Sequence, residues 1–186
     1  MLMRKKEEEA IVLDFLPNGY LFDSRPSHMK TAIAQAVGKE NFTLLELVPK
    51  KGIFLQPYED VYIGEAKRDK VHHINGKISF DKLTQTAKAE LQHCVKQLVH
   101  KHEGRFVEFF NKAQPLSTRM HIIELLPGVG KKHMWEIVEG RRGEPFKNFE
   151  DIKKRVKLMP DPETAIQKRV MQELTGTEKH LLFVDK

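Results

Sequence analysis

Two glycines one residue apart, in Leu125-Leu126-Pro127-Gly128-Val129-Gly130-Lys131-Lys132, constrain this chain more than any other stretch. Apolar residues recur upstream at Met120, Ile122, Ile123, Leu125 and Leu126, and downstream at Met134, Trp135, Ile137 and Val138. Both sets fit a helix face, which predicts short helices over 118–126 and 131–139 joined by a tight turn. Without a β-carbon, Gly128 and Gly130 let that turn reach positive φ and admit a close neighbour. The second helix then starts with unsatisfied N–H groups and a partial positive charge beside Lys131 and Lys132, an arrangement suited to a phosphate.

Hydrophobic-Pro-Gly-hydrophobic-Gly-basic between two short helices resembles the helix–hairpin–helix motif of nucleic-acid-binding proteins. The resemblance implies that Pro127, Gly128, Val129, Gly130, Lys131 and Lys132 hold a backbone phosphate without reading sequence. The plainer alternative is an αα-corner with a glycine turn.

A second helix pair follows at a spacing of about 32 residues. Asn148 is the expected N-cap of a helix running to about Val156, with Asp151 at the capping-box position. Leu158-Met159-Pro160-Asp161-Pro162 then leads into a last helix over 163–174, stopped by Gly176. The prolines have no N–H to give, and Asp161 places a carboxylate where a phosphate would sit, so this copy is expected to cap its own helix. Two such pairs resemble the tandem helix–hairpin–helix domain.

The 186 residues suit one large or two small domains. The net charge of +6 and pI near 9.3 favour a polyanionic partner. Within 131–157 there are nine basic and five acidic residues, a local net of +4. Arg141 and Arg142, in an expected loop at 140–145, are added to the binding set, whereas Lys153, Lys154, Arg155 and Lys157 also fit an ordinary solvated helix face. One cysteine, Cys94, excludes an internal disulfide and a cysteine-rich zinc site. His93, Cys94, His100 and His102 match no zinc spacing, since His93 and His100 would lie about 10 Å apart along one helix. No metal or cofactor is expected. With no signal sequence or apolar run of about 20 residues, no membrane partner is expected and the expected location is cytoplasmic.

The first 80 residues read as strands: 10–16 and 20–22 around Asn18-Gly19, then 42–48, 61–64, and a hairpin around Asn75-Gly76. Lys5 to Glu9 reads as a frayed charged lead-in, and 27–37 as a short helix begun by Ser27 and ended by Gly38. A helix capped by Asp81 carries Leu83, Ala87, Leu91, Val95 and Leu98 as a stripe, and a further helical piece over 105–113 carries Phe106, Phe109 and Phe110. The expected fold class is α+β: a small OB-like β-barrel over 1–80, a helical bridge over 81–114, and an all-α tandem helix–hairpin–helix domain over 115–186. Tyr20, Phe22, Phe54, Tyr58 and Tyr62, with Lys50, Lys51, Lys67, Arg68 and Lys70, could give the barrel a second, base-stacking surface.

The layout resembles an uncharacterised family of archaeal proteins joining an OB-like barrel to a tandem helix–hairpin–helix domain, over nearly the whole chain. The resemblance implies a non-enzymatic nucleic-acid-binding protein whose partner is RNA rather than DNA. A reading from another class is a protein-interaction or dimerisation module anchored by Trp135 or by the phenylalanines at 106–110. A remote third is a helix–hairpin–helix DNA glycosylase using Lys132 with Asp151 or Glu150, for which this chain lacks the large helical body that holds a flipped base.

Overall fold

A computed structural model of the chain describes residues 5–185. Five strands, β1 (Glu9–Leu16), β2 (Ile33–Gly38), β3 (Leu44–Pro49), β4 (Asp60–Tyr62) and β5 (Val71–Lys77), form one antiparallel sheet in the order β4-β1-β2-β3-β5. Five α-helices follow: α1 (Gln85–Lys101), α2 (Glu103–Lys112), α3 (Lys131–Gly143), α4 (Phe149–Arg155) and α5 (Pro162–Thr175). The class is α+β. The sheet is a curled half-barrel, and among the described residues no ladder joins β4 to β5.

Contacts divide the chain into two compact units, one running to Val95 and resuming at Gln172, the other spanning Lys96–Met171. In the first, Ala10, Val12, Ala34, Ala36, Leu45, Leu47 and Val61 form one buried face of the sheet, joined by Leu55, Ile63 and Val71. A bulge between Val12 and Asp14 shifts the later register, so that Phe15 faces Ala34 and Asp14 faces Gln35. The opposite face carries a polar chain: Thr84 Oγ1 donates to Asp14, Gln35 Nε2 donates to Tyr20 Oη and to the Lys82 carbonyl, and Tyr20 Oη donates to Glu46. Burial, with the Glu46 carboxylate beside it, pushes the Tyr20 hydroxyl up to about 12. Cys94, on α1, is fully buried, and burial, with Glu90 and Asp60 adding to it, pushes its thiol up to about 12.

Several expectations fail here for physical reasons. The segment expected to be a helix over 27–37 is a 3-10 turn (Ser27–Met29) followed by β2. The alanines that suggested a helix are the small residues that a central strand, buried on both faces, requires, and pairing overrides propensity. Tyr20 to Phe22 is not a strand, because Tyr20 is drawn across the sheet to Glu46. Asn75-Gly76 is not a hairpin: both lie inside β5, where Glu46 pairs with Gly76 and Leu47 with Ile74, leaving Asn75 as the extra residue of a bulge. Its side-chain amide donates to Glu46. The lead-in is held, not frayed, at Glu7, whose carboxylate accepts the N–H groups of Glu40 and Asn41 at 2.8 Å. The cap of α1 is Thr84, whose hydroxyl accepts the Ala87 N–H, and not Asp81, which lies in a 3-10 turn.

The tail of the same unit is organised by Glu173, a fully buried carboxylate. It accepts the N–H groups of Leu182 at 2.8 Å, Phe183 at 2.9 Å and Val184 at 3.0 Å. Asp185 then donates its N–H to the Asn41 carbonyl and pairs with Lys77.

In the second unit, Phe106, Val107, Phe110, Ile123, Leu126, Ile137, Phe149, Ile152, Val156, Ile166 and Val170 are buried. The segment expected to be helical over 118–126 is helical only as a 3-10 turn, Ile122–Leu125. His121 sets that start: its Nδ1 accepts the Ile123 N–H at 3.2 Å while Glu124 accepts the His121 N–H at 2.8 Å. Burial first, then the charge of Arg141, holds the His121 imidazole below the usual histidine value, with Glu124 opposing. A group whose folded value is depressed contributes stability that is whole above its unfolded value, about 6.5, and is lost as pH falls through the folded one. Denaturant midpoints for wild type should therefore decline below about pH 6.5 more steeply than those of His121→Asn, which caps without titrating. Parallel pH profiles would disprove that assignment.

Candidate functional site

The turn after Leu126 closes by the Val129 N–H donating to the Leu126 carbonyl, and α3 begins when Met134 donates to Gly130. Gly128 has φ +79, and a β-carbon there would lie 2.9 Å from Pro160 Cγ. Backbone and space both demand glycine at that position. Gly130 differs: it is the N-cap of α3 at φ −95 and ψ −176, and a β-carbon there meets nothing within 4 Å.

An α-helix leaves its first N–H groups without internal acceptors. At α4 the Asn148 side chain accepts the Asp151 N–H at 2.8 Å. At α5 the Asp161 carboxylate accepts the N–H and hydroxyl of Thr164 at 2.8 and 2.7 Å. Burial raises the Asp161 pKa, but the Lys153 ammonium and the Thr164 donors outweigh it and hold the carboxyl below its usual value. The expectation that Asp161 caps its own helix is met. Gly130 has no side chain to cap with, and the first turn of α3 contains no acidic residue. Among these three helix starts, α3 alone has no side-chain acceptor over its first turn, and Gly130, Lys131 and Lys132 there are exposed.

The positive surplus can be followed side chain by side chain. Arg142 pairs with Glu139 at 2.8 Å, Lys147 with Glu144 at 2.9 Å, and Arg155 with Asp151 at 3.1 Å. Lys153 lies 2.7 Å from both Glu150 and Asp161. Arg141 donates to the carbonyls of Phe110 at 2.9 Å and Ala113 at 2.8 Å, closing the end of α2. Within 131–157, four exposed lysines remain with no carboxylate partner among the described residues: Lys131, Lys132, Lys154 and Lys157. Two of them sit in the first turn of α3.

The loop expected at 140–145 is therefore corrected in its first half. Residues 140–143 are the last turn of α3, and Gly140 is there because a β-carbon would come 3.3 Å from the Phe146 ring. Arg141 is half-buried on that turn, its guanidinium committed to α2, while exposed Arg142 is shared with Glu139. Pro127, Gly128, Val129, Gly130, Lys131 and Lys132 are contiguous at the turn; Val129 faces inward as a core residue. Sequence reasoning missed Arg169, buried on α5, whose Nη1 donates to the Leu125 carbonyl at 3.0 Å and braces the turn from below.

The aromatic set on the sheet divides. Phe22 stacks on Tyr20 at 4.9 Å, on the face of Gln35; Phe54 meets Phe15 edge-on at 5.9 Å, on the face of Ala34. Tyr58 meets the His93 ring, and Tyr62 Oη accepts the Ala66 N–H. Lys50 donates to the Arg68 carbonyl, Arg68 to the Gly64 carbonyl, and Lys70 pairs with Glu59. The phenylalanines at 106, 109 and 110 are buried. His100 pairs with Glu163 at 3.1 Å. Among the described residues no helix is long and apolar enough to cross a membrane.

A half-barrel sheet joined to a helical unit whose α3 begins at a glycine turn with two exposed lysines defines a class of α+β protein. The chain belongs to the family described as a protein of unknown function, DUF655, whose model matches residues 6–185. It is 41% identical over 183 residues to the uncharacterized protein MJ0038 of Methanocaldococcus jannaschii, an alignment covering 97% of this chain and 81% of that protein. The crystal structure of Af1531 from Archaeoglobus fulgidus, of the same family, is 43% identical and superposes with a TM-score of 0.85, covering 96% of this chain and 100% of that one. Both relatives are archaeal.

Proposed function

We propose that this protein binds nucleic acid, RNA rather than DNA, by seating a backbone phosphate on the amino end of α3. The observation that carries the reading is the contrast in capping: α4 and α5 supply their own carboxylate or amide acceptors, and α3 supplies none. On this reading the 3-10 turn, the Leu126–Gly130 loop and α3 form one helix–hairpin–helix, and α4 with α5 forms its structural partner. The approach of Gly128 to Pro160 is then the point where the two hairpins meet. The half-barrel reads as an open relative of the OB fold, and the protein as cytoplasmic. The amides of Gly130, Lys131 and Lys132 hold the phosphate and the two lysine side chains add charge; Arg141 and Arg142 contribute field rather than contact.

The test is a titration of labelled RNA across a salt series. Log affinity should fall linearly with log salt, and the double change Lys131→Ala, Lys132→Ala should weaken binding to all sequences alike and reduce the slope by about 2. Binding that ignores salt would end the proposal.

A further inference from the structure

Trp135 is the one tryptophan of the chain, and 57% of it is exposed. A large indole left in water on an ordered helix is unusual, and among the described residues no ring contact involves it. Its place on α3 is specific. Lys131 and Lys132 precede it by four and three residues, and residues at those separations share a helix face. Helical side chains lean toward the amino end, so the indole covers the turn that carries those two lysines. Neither lysine is paired with a carboxylate among the described residues, so the flat apolar surface is bordered on its amino-terminal side by uncompensated positive charge, while on the other side Glu139 is paired with Arg142. Leu116 and Met120, also exposed in this unit, lie in the segment leading to the 3-10 turn.

We infer that Trp135 is a stacking platform for an unpaired nucleobase, which makes single-stranded RNA the preferred substrate class of the site. The inference rests on the proposed phosphate site and deepens it. A base on a flexible strand can turn its π-face to the indole while its phosphate stays at the start of α3; a base locked in a duplex cannot. The unpaired lysines favour this occupant over a second copy docked face to face, because a two-fold contact through this patch would set Lys131 and Lys132 against the same two lysines.

Because the chain has one tryptophan, its fluorescence reports on this position alone. Titration with oligoadenylate should quench it, oligouridylate should quench it less and bind more weakly, and a blunt duplex should bind without quenching. Trp135→Ala should weaken single-stranded binding roughly ten- to hundredfold, leave duplex binding within about twofold, and leave the far-ultraviolet circular dichroism unchanged; Trp135→Phe should keep most of the affinity. Binding with no quenching and no effect of Trp135→Ala overturns the platform while leaving the phosphate site standing. Failure of all oligonucleotides to bind overturns both. Emission that shifts with protein concentration alone assigns the indole to self-association and overturns the platform.

Discussion

Gly130→Asp is expected to weaken nucleic-acid binding at least tenfold while leaving the protein as stable as before, or more so by a few tenths of a kcal/mol. The backbone at Gly130 is already extended, as an N-cap requires, and a side chain there meets nothing within 4 Å. An aspartate can thus adopt the same conformation and accept the N–H groups of the first turn, as Asp161 does on α5. It also places negative charge where the phosphate would lie. Losing one charge-assisted anion site and gaining a repulsive one should cost binding at least tenfold, with the salt slope falling as well. Gly130→Ala separates the two effects, since it fits the space without supplying an acceptor or a charge, and should bind nearly as wild type. Thermal melts beside binding titrations are sufficient. Full affinity in a well-folded Gly130→Asp protein would remove the start of α3 from consideration.

The largest effect on folding is expected at Glu173. Three backbone N–H groups, from Leu182, Phe183 and Val184, converge on its buried carboxylate. Glu173→Ala strands these donors and opens a cavity, which should cost about 3 kcal/mol or more. For a chain of this size that corresponds to a fall of about 6–12 °C in melting temperature. Glu173→Gln should fall between the two, because one of its ends is itself a donor facing donors. Differential scanning calorimetry gives the shift, and limited proteolysis should show cleavage appearing first in the tail after Gly176. A Glu173→Ala protein that melts with wild type would mean the tail is held by Phe183 and Val184 together with the Asp185 contacts to Asn41 and Lys77.

How much of this was readable beforehand depended on whether the signal was local. Asn148 and Asp161 were recognisable as caps because a cap is a contact between residues three apart. The first strand is legible from its run of β-branched and large apolar residues and the stripe on α1 from periodicity, again local properties. β2 was not, because its identity depends on two neighbouring strands that leave room only for small side chains, and alanine by itself favours a helix. Asn75-Gly76 carried a strong turn signal that Glu46, 29 residues earlier in the chain, converts into a bulge. At the candidate site the glycine turn before α3 is legible in the sequence, but the surplus of charge cannot be apportioned from it. Only the geometry shows that Arg141 serves the carbonyls of α2, that Lys153 serves two carboxylates, and that Lys131 and Lys132 remain. Arg169 gave no local signal because its partner lies 44 residues away.

The burial of Cys94 makes this chain a convenient substrate for site-directed labelling. A thiol with no exposure and a pKa pushed to about 12 carries almost no thiolate at neutral pH, so maleimide reagents will pass it by while the protein is folded. A cysteine introduced on the solvent side of α3 can therefore take a spin label or dye selectively, with the native cysteine left in place. The silent thiol also serves as a clock: its rate of modification under native conditions measures how often the core around Cys94 opens.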